Sequence, residues 1–378
     1  MMHKLFIFEA TDVWTTLAQA DKPIILYGMG NGADKVLDEL EKRHIKAAGV
    51  MASDDFCRYQ EYRGFTVQKQ RDFEEQFRLL GYASNIDTIP QSPFGDSSLS
   101  QREPNDFIIA LCFGSSLPDV MAHIRHVAEQ HKLLVPNIPV AGEAIMDDRF
   151  IAQYRQEIEH AYSLLADEQS RKVFKGALDF YYTGELKYLD RIESDKDEVF
   201  ANILRLREER YLDLGAYRGD TVNEFLHYTD GYRSITAVEP NPKNYKKLCE
   251  HIGTIENATA LNAGIADRVG TMTISKKAGR MPVLGDTNGV EIAVMTVDMI
   301  DCSPTYIKVD IEGMEPQMLS GAEHTLLTLK PKLNLAAYHR TEDFFSLILQ
   351  LHEINPDYRI YLRKHPYIPC WDLNIYAV

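Results

Sequence analysis

Asp213-Leu-Gly-Ala-Tyr-Arg-Gly-Asp-Thr221 stands where an apolar run, Tyr211 to Leu214, gives way to a helical pattern. Gly215 and Gly219 let the backbone approach a ligand closely, and a helix opening after them turns unpaired N–H groups toward an anion. The spacing is G-x-x-x-G and lacks the G-x-G-x-x-G that cradles the diphosphate of a dinucleotide. It suits a ligand whose only anion is a carboxylate. Asp213 then faces the ligand's ammonium group, directly or through water, while Ala216, Tyr217, Asp220 and Thr221 line the same turn. A tight strand-to-helix turn without a ligand is the other reading.

Glu239 follows 26 residues after Asp213, in Ala237-Val-Glu-Pro-Asn-Pro242 at the end of the next apolar run. A carboxylate there accepts hydrogen bonds from both hydroxyls of a ribose. Pro240 and Pro242 cannot continue a strand, so the chain turns at that carboxylate beside Asn241. Asn262 and Asp267, in Asn262-Ala-Gly-Ile-Ala-Asp267, reach the place where an adenine is held, although Asp267 reads equally well as a turn residue. An ammonium, a carboxylate, a ribose and an adenine together describe S-adenosylmethionine.

Strand candidates recur outward from these motifs: Tyr211 to Leu214, Ser234 to Val238, Thr259 to Ala263, Thr305 to Val309, Leu333 to Ala337, Arg359 to Leu362 and Leu373 to Val378. Helical patterns separate the early ones, and nothing of helix length separates the last two. The alternation predicts an α/β fold of the class I, Rossmann-like methyltransferase kind, with a mainly parallel sheet closed by a C-terminal hairpin. Two further runs, Thr271 to Ser275 and Ile292 to Val297, form an insertion.

Ile307-Lys-Val-Asp-Ile-Glu-Gly-Met-Glu315 again places carboxylates at a strand end. Asp310 and Glu312 are two apart, so in an extended chain they point to one side and can orient a hydroxyl, take a proton or ligate a divalent cation. Glu315, in a first helical turn, is accounted for by the helix dipole alone. His339 ends the neighbouring strand and is the candidate base, since imidazole titrates near neutrality. A structural hydrogen-bonding histidine is the alternative.

The first 141 residues read as a second, smaller Rossmann-like domain. Pro23 to Tyr27, Ala47 to Met51, Phe107 to Phe113 and Leu133 to Pro136 are its strands, and a long polar loop spans about Asn85 to Asn105. Gly28-Met-Gly-Asn-Gly-Ala33 satisfies G-x-G-x-x-[GA], with Asp54 and Asp55 beyond the next strand. Gly28, Gly30, Gly32 and Asp54 are therefore candidates for a nucleotide or nucleotide-sugar site, against a degenerate fold used for dimerisation or substrate presentation. Residues 142–210 have few glycines and no proline, and the spacing of Ile151, Tyr154 and Ile158 predicts a helical connector to the domain at 211–378.

The net charge of -15 speaks against a nucleic-acid partner, because a phosphate backbone would be repelled. Five scattered cysteines without a CxxC pair indicate neither disulfides nor zinc and fit a cytoplasmic setting. No apolar run is long enough to cross a bilayer.

Taken in order, the DLGAYRGDT, AVEPNP, NAGIADRVGTMTI, TVDMI, IKVDIEGMEPQMLSGA and YHR segments resemble the FkbM family of methyltransferases over about Tyr211 to Val378. The resemblance implies an S-adenosylmethionine-dependent O-methyltransferase acting on sugar or macrolide hydroxyls. It carries the cofactor role onto Asp213, Gly215, Gly219, Glu239 and Asp310, and leaves the base open. A scaffold that binds the cofactor without turnover in a glycan-assembly complex, and a nicotinamide-dependent enzyme working through the first domain, are the competing functions.

Overall fold

The computed structural model describes residues 5–6, 8–53, 61–70, 72, 107–274 and 289–378. Its first sheet contains β1 (Ile24–Tyr27), β2 (Ala47–Ala52), β3 (Glu61–Tyr62), β4 (Phe65–Lys69), β5 (Ile108–Leu111) and β6 (Lys132–Leu134), in the order β3-β4-β2-β1-β5-β6. Every residue of β1 and β5 is buried, as central parallel strands covered on both faces require. Helices Asn31–Lys42 and Pro118–Gln130 supply crossovers. Only β3 runs antiparallel to its neighbour. The sequence reading did not anticipate β3 and β4, because β4 fully buries Val67 alone and so shows almost no apolar alternation.

The second half contributes β7 (Glu209–Leu214), β8 (Tyr232–Val238) and β9 (Ala258–Leu261). A small separate sheet follows, formed by β10 (Gly264–Ile265), β11 (Gly270–Ile274) and β12 (Val290–Met295). The chain then returns through β13 (Tyr306–Val309), β14 (Lys332–Ala336), β15 (Ile360–Lys364) and β16 (Leu373–Ala377). The main sheet has the order β15-β16-β14-β13-β7-β8-β9. Five strands from β14 to β9 are mutually parallel, and β16 is antiparallel to both of its neighbours. Hence β15 runs with the five, and the loops after β7, β8, β13, β14 and β15 open on one edge. This is the expected α/β architecture, hairpin included.

Helices Asp148–Leu164 and Glu168–Thr183 tie the two halves together. Asp147 and Asp167 cap their N-termini through side-chain oxygens. The second helix is buried almost all round, the pattern of a core helix. It packs across β15, while the first packs along helix Asp343–Ile354. Phe174 meets Tyr162 and Phe344, and on the other side Phe8 stacks on Tyr182. One apolar core therefore runs from Ile25 and Ile109 of the first sheet to Leu214 and Ile307 of the second. No helix among the described residues is long and apolar enough to cross a membrane.

Gly32 lies so near the end of β5 that a Cβ there would stand 2.1 Å from the carbonyl oxygen of Cys112. Gly32→Ala should therefore cost about 2 to 3 kcal/mol, the usual penalty for overpacking against unyielding backbone. Urea unfolding would show a lower midpoint with an unchanged slope. A wild-type midpoint would refute this packing role.

Candidate active site

Two pairs of strand ends build the site. The chain leaves β7 through Gly215 (φ 85°), and the N–H groups of Gly215 and Ala216 both donate to the Val238 carbonyl of β8 at 3.0 Å. A Cβ on Gly215 would lie 1.9 Å from the carbonyl oxygen of Asp310, so the turn after β7 rests directly on the turn after β13. Tyr217 and Gly219 also take positive φ, 48° and 95°, and Gly219 opens helix Asp220–Tyr228. Asp220 is exposed in its first turn.

Glu239 is buried at the end of β8. Its Oε2 accepts from the N–H of Tyr217 at 3.0 Å and its Oε1 from the N–H of Asn241 at 2.8 Å. Burial raises the Glu239 pKa, and these two N–H groups together with the Asn244 side chain pull the other way. Asn262 donates to the carbonyls of Glu239 (2.8 Å) and Pro240 (3.1 Å), and Asn241 caps helix Pro242–Ile252. Asn241 and Asn262 thus brace the acidic turn. Asp267 is exposed and lies against Gly321, beyond the end of helix Glu315–Ser320. No described contact ties it to Glu239.

Asp213 is wholly buried. The Thr221 hydroxyl donates to its Oδ2, and its Oδ1 has no hydrogen-bond partner among the described residues. Burial raises its pKa to about 6, with Lys308 and Thr221 pulling the other way. Lys308 stands opposite Asp213 in the register of β13 and β7.

The second pair of strand ends gathers around His339. β13 stops at Val309, and Glu312 (φ 57°) and Gly313 (φ 97°) bend the chain into helix Glu315–Ser320. His339 places Nε2 3.3 Å from Asp310 Oδ1 and 3.8 Å from Glu312 Oε2, with Nδ1 2.9 Å from Glu315 Oε1. The Asp310 and Glu312 side chains keep 34% and 25% exposure, whereas those of His339 and Glu315 keep 2% and 0%. The carboxylates of Asp310 and Glu312 therefore form a front layer, and His339 with Glu315 a rear one. Lys308 Nζ lies 3.4 Å from Asp310 Oδ2, and the Tyr338 hydroxyl donates to the same carboxylate at 3.2 and 3.3 Å. Glu315 Oε1 also accepts from the N–H of Ile311 at 2.9 Å.

Burial opposes charge on both His339 and Asp310, but their partners outweigh it. Glu315 and Asp310 raise the His339 pKa well above the ordinary imidazole value. Lys308, then His339, hold the Asp310 carboxyl well below the usual carboxylate range. The carboxylates around His339 thus favour its protonated form. A ring set between carboxylates in this way holds its proton more firmly than a free imidazole does.

Asp310, Glu315 and His339 could also offer ligand atoms lying within 4.8 Å of one another, a different trio from the expected pair of Asp310 and Glu312. A divalent cation there would have to displace the imidazolium proton in the presence of Lys308. Sequence reasoning missed Lys308, Tyr338 and the part played by Glu315. The available signal was Lys308 two residues before Asp310, on the same face of a strand that is otherwise apolar.

In the first half, Gly28 (φ 120°) and Gly30 (φ 116°) make the turn before helix Asn31–Lys42. The Tyr62 hydroxyl sits on this turn, accepting from Gly30 N–H at 3.3 Å and contacting Gly30 O at 3.0 Å and Asp34 at 2.7 Å. Phe113 packs against Gly28, and Gly32 is a packing contact. Asp54 and Asp55 lie outside the described residues.

A parallel sheet with one inserted antiparallel strand, and carboxylates at the ends of β7 and β8, defines a Rossmann-like methyltransferase fold. Residues 213–369 match the family model described as the Methyltransferase FkbM domain. The structure is similar to the crystal structure of methyltransferase FkbM from Methylobacillus flagellatus KT, covering 97% of this chain and 92% of that one at 20% identity and a TM-score of 0.67. Fibrillarin from Aeropyrum pernix, in complex with natively bound S-adenosyl-L-methionine, matches 46% of this chain and 67% of its own at 16% identity and a TM-score of 0.29. Precorrin-6y C5,15-methyltransferase from Geobacter metallireducens GS-15 matches 49% and 91% at 14% identity and a TM-score of 0.31. No curated protein matches the sequence.

The Asp213 carboxyl has a stability consequence. Its pKa rises from 3.8 unfolded to about 6 folded, so between those values the folded state holds more protons and stability falls as pH rises. The cost is complete above about pH 6. Asp213→Asn should therefore stabilise the chain by about 3 kcal/mol at pH 8. The gain should shrink to a small fraction near pH 4, close to the unfolded pKa, and vanish at lower pH, where both states are protonated. Urea titrations at the two pH values check this, and an equal shift at both would show that ionisation is not the cause.

Proposed function

We propose that this chain transfers the methyl group of S-adenosylmethionine to a hydroxyl of a sugar or glycan-type acceptor. The observation that carries the reading is the direct contact of two differently equipped turns, made where Gly215 meets the Asp310 carbonyl. On the β7 side, the unpartnered Oδ1 of Asp213 suits an ammonium group and the carboxylate of Glu239 suits a ribose diol. The turn from Gly215 to Thr221, with Ala216, Tyr217, Gly219 and Asp220, would hold the rest of the cofactor's amino-acid end, and Pro240, Asn241 and Asn262 would frame its nucleoside. Bound there, S-adenosylmethionine supplies an electrophilic methyl carbon.

On the β13 side, Asp310 and Glu312 present oxygen acceptors to the cleft, as orientation of an acceptor hydroxyl requires. The attacking oxygen becomes positively charged as its bond to carbon forms, so a carboxylate suffices to take its proton and imidazole is not needed. Glu312, less closely held by cations than Asp310, is the better placed acceptor. His339 and Glu315 keep the front carboxylates in place. Lys308 and His339 supply the positive charge facing Asp310, so the reading calls for no divalent cation. Paired carboxylates suit an acceptor with adjacent hydroxyls, which agrees with the sugar class implied by the FkbM resemblance. Residues 1–141 and 142–210 then serve the methyltransferase part at 211–378.

Calorimetric titration of S-adenosylmethionine into wild type and Glu239→Ala tests the cofactor site. The variant should lose about 2 kcal/mol, the worth of charged hydrogen bonds to the ribose. Single turnover with methyl-labelled cofactor and mixed glycans should then place label in a carbohydrate product. Wild type that binds no cofactor would overturn the reading, and binding without transfer would favour a scaffold.

A further inference from the structure

The glycine motif of the first half opens helix Asn31–Lys42, whose half-buried Lys35 is bound to main-chain carbonyls of a distant segment. Lys35, in helix Asn31–Lys42, donates to the carbonyls of Pro139 at 2.9 Å and Val140 at 3.0 Å. No carboxylate among the described residues pairs with it, and burial lowers its pKa. At the far end of the same helix, Arg43 lies 3.3 Å from Asp147, which caps helix Asp148–Leu164. The helix thus splints the segment from 139 to 147 at both ends.

Between those anchors the segment grips the loop that carries His339. Ala141 donates its N–H to the His339 carbonyl at 2.7 Å. The Thr341 hydroxyl donates to the Ala144 carbonyl at 2.5 Å, and Asn137 donates to Thr341 at 3.3 Å. Ala141 also fills the space beside Gly313, where an added Cβ would come within 2.4 Å of its own. Arg340 donates to the Gly313 carbonyl at 3.0 Å, closing the contact between the turns that hold Glu312 and His339.

We infer that Lys35 is a positioning residue for the active site: by fixing the 139–140 carbonyls it sets Ala141, and Ala141 sets His339 between Asp310 and Glu315. The first half then acts on the reaction through a mechanical contact with the second. Its glycine motif serves to start the helix that carries Lys35. The activity part of this inference rests on the methyltransferase reading, whereas the structural part does not.

Amide hydrogen exchange of the full chain, without ligand, is compared for wild type, Lys35→Met and Lys35→Arg. Loss of a charged hydrogen-bond donor should speed exchange at 310–315 and 337–341 about tenfold or more in Lys35→Met. Strands β7 and β8 should keep wild-type rates, and Lys35→Arg, whose guanidinium reaches the same carbonyls, should stay close to wild type. In turnover assays Lys35→Met should lower kcat by about tenfold while leaving the KM for S-adenosylmethionine nearly unchanged. Unchanged exchange at 337–341, an increase spread evenly over the chain, or a wild-type kcat would each overturn the inference. If wild type fails to bind S-adenosylmethionine, the methyltransferase reading falls, and the exchange pattern alone still decides whether Lys35 sets this loop.

Discussion

A lysine ammonium buried in the middle of a parallel sheet is the constraint to which the rest of the site answers. Lys308 lies on β13 with Asp213 opposite it on β7 and Asp310 two residues on. A charge taken out of water at such a place persists only when opposite charge is close. Asp310 meets that need by staying ionised, and an ionised Asp310 in turn favours the proton on His339. An imidazolium with no exposure needs a second carboxylate, and Glu315 supplies it from the following helix. Charges alternate along this path from the β7 turn to the rear of the His339 pocket, so each group fixes the ionisation of the next.

The same path explains why glycine is required at two turns. Gly215 lets the β7 turn touch the Asp310 carbonyl, and Gly313 lets the first half approach through Ala141. Both take positive φ, where a side chain would be strained as well as obstructed. Close backbone contact on either side of Asp310 fixes its main chain, while Lys308, Tyr338 and His339 hold its carboxylate. The front carboxylates can therefore remain partly exposed while their positions are set from behind.

The second half was largely legible in the sequence because its strands are short apolar runs that end abruptly in glycine, proline or acid. The run before Asp213, the proline-flanked Glu239 and the Asp310 segment each mark a strand end, and the structure brings those ends to one edge. Strands β3 and β4 were not legible, since an edge pair that buries one valine leaves no periodic signal. The protonation of His339 was also out of reach. It depends on Glu315, 24 residues away in sequence, and on Lys308, whose influence passes through Asp310. Glu315 met a sufficient explanation as a helix-dipole residue, and only the fold shows its carboxylate turned inward onto the ring. Lys35 is harder still, because its partners are main-chain carbonyls 104 and 105 residues away, and carbonyls leave no mark in a sequence.

In the proposed reaction, a protonated His339 in place of a base changes what the site has to accomplish. Methyl transfer to a hydroxyl needs the oxygen on line with the methyl carbon before the bond forms, and that alignment supplies much of the barrier reduction. A base near neutrality would titrate across the working range, and its reach would vary with its charge. Here the neighbours of His339 push its pKa upward and those of Asp310 push its pKa downward, away from neutrality on either side. Fixed dipoles and charges of this kind need no reorganisation when the reaction occurs, which is where electrostatic preorganisation gains over water.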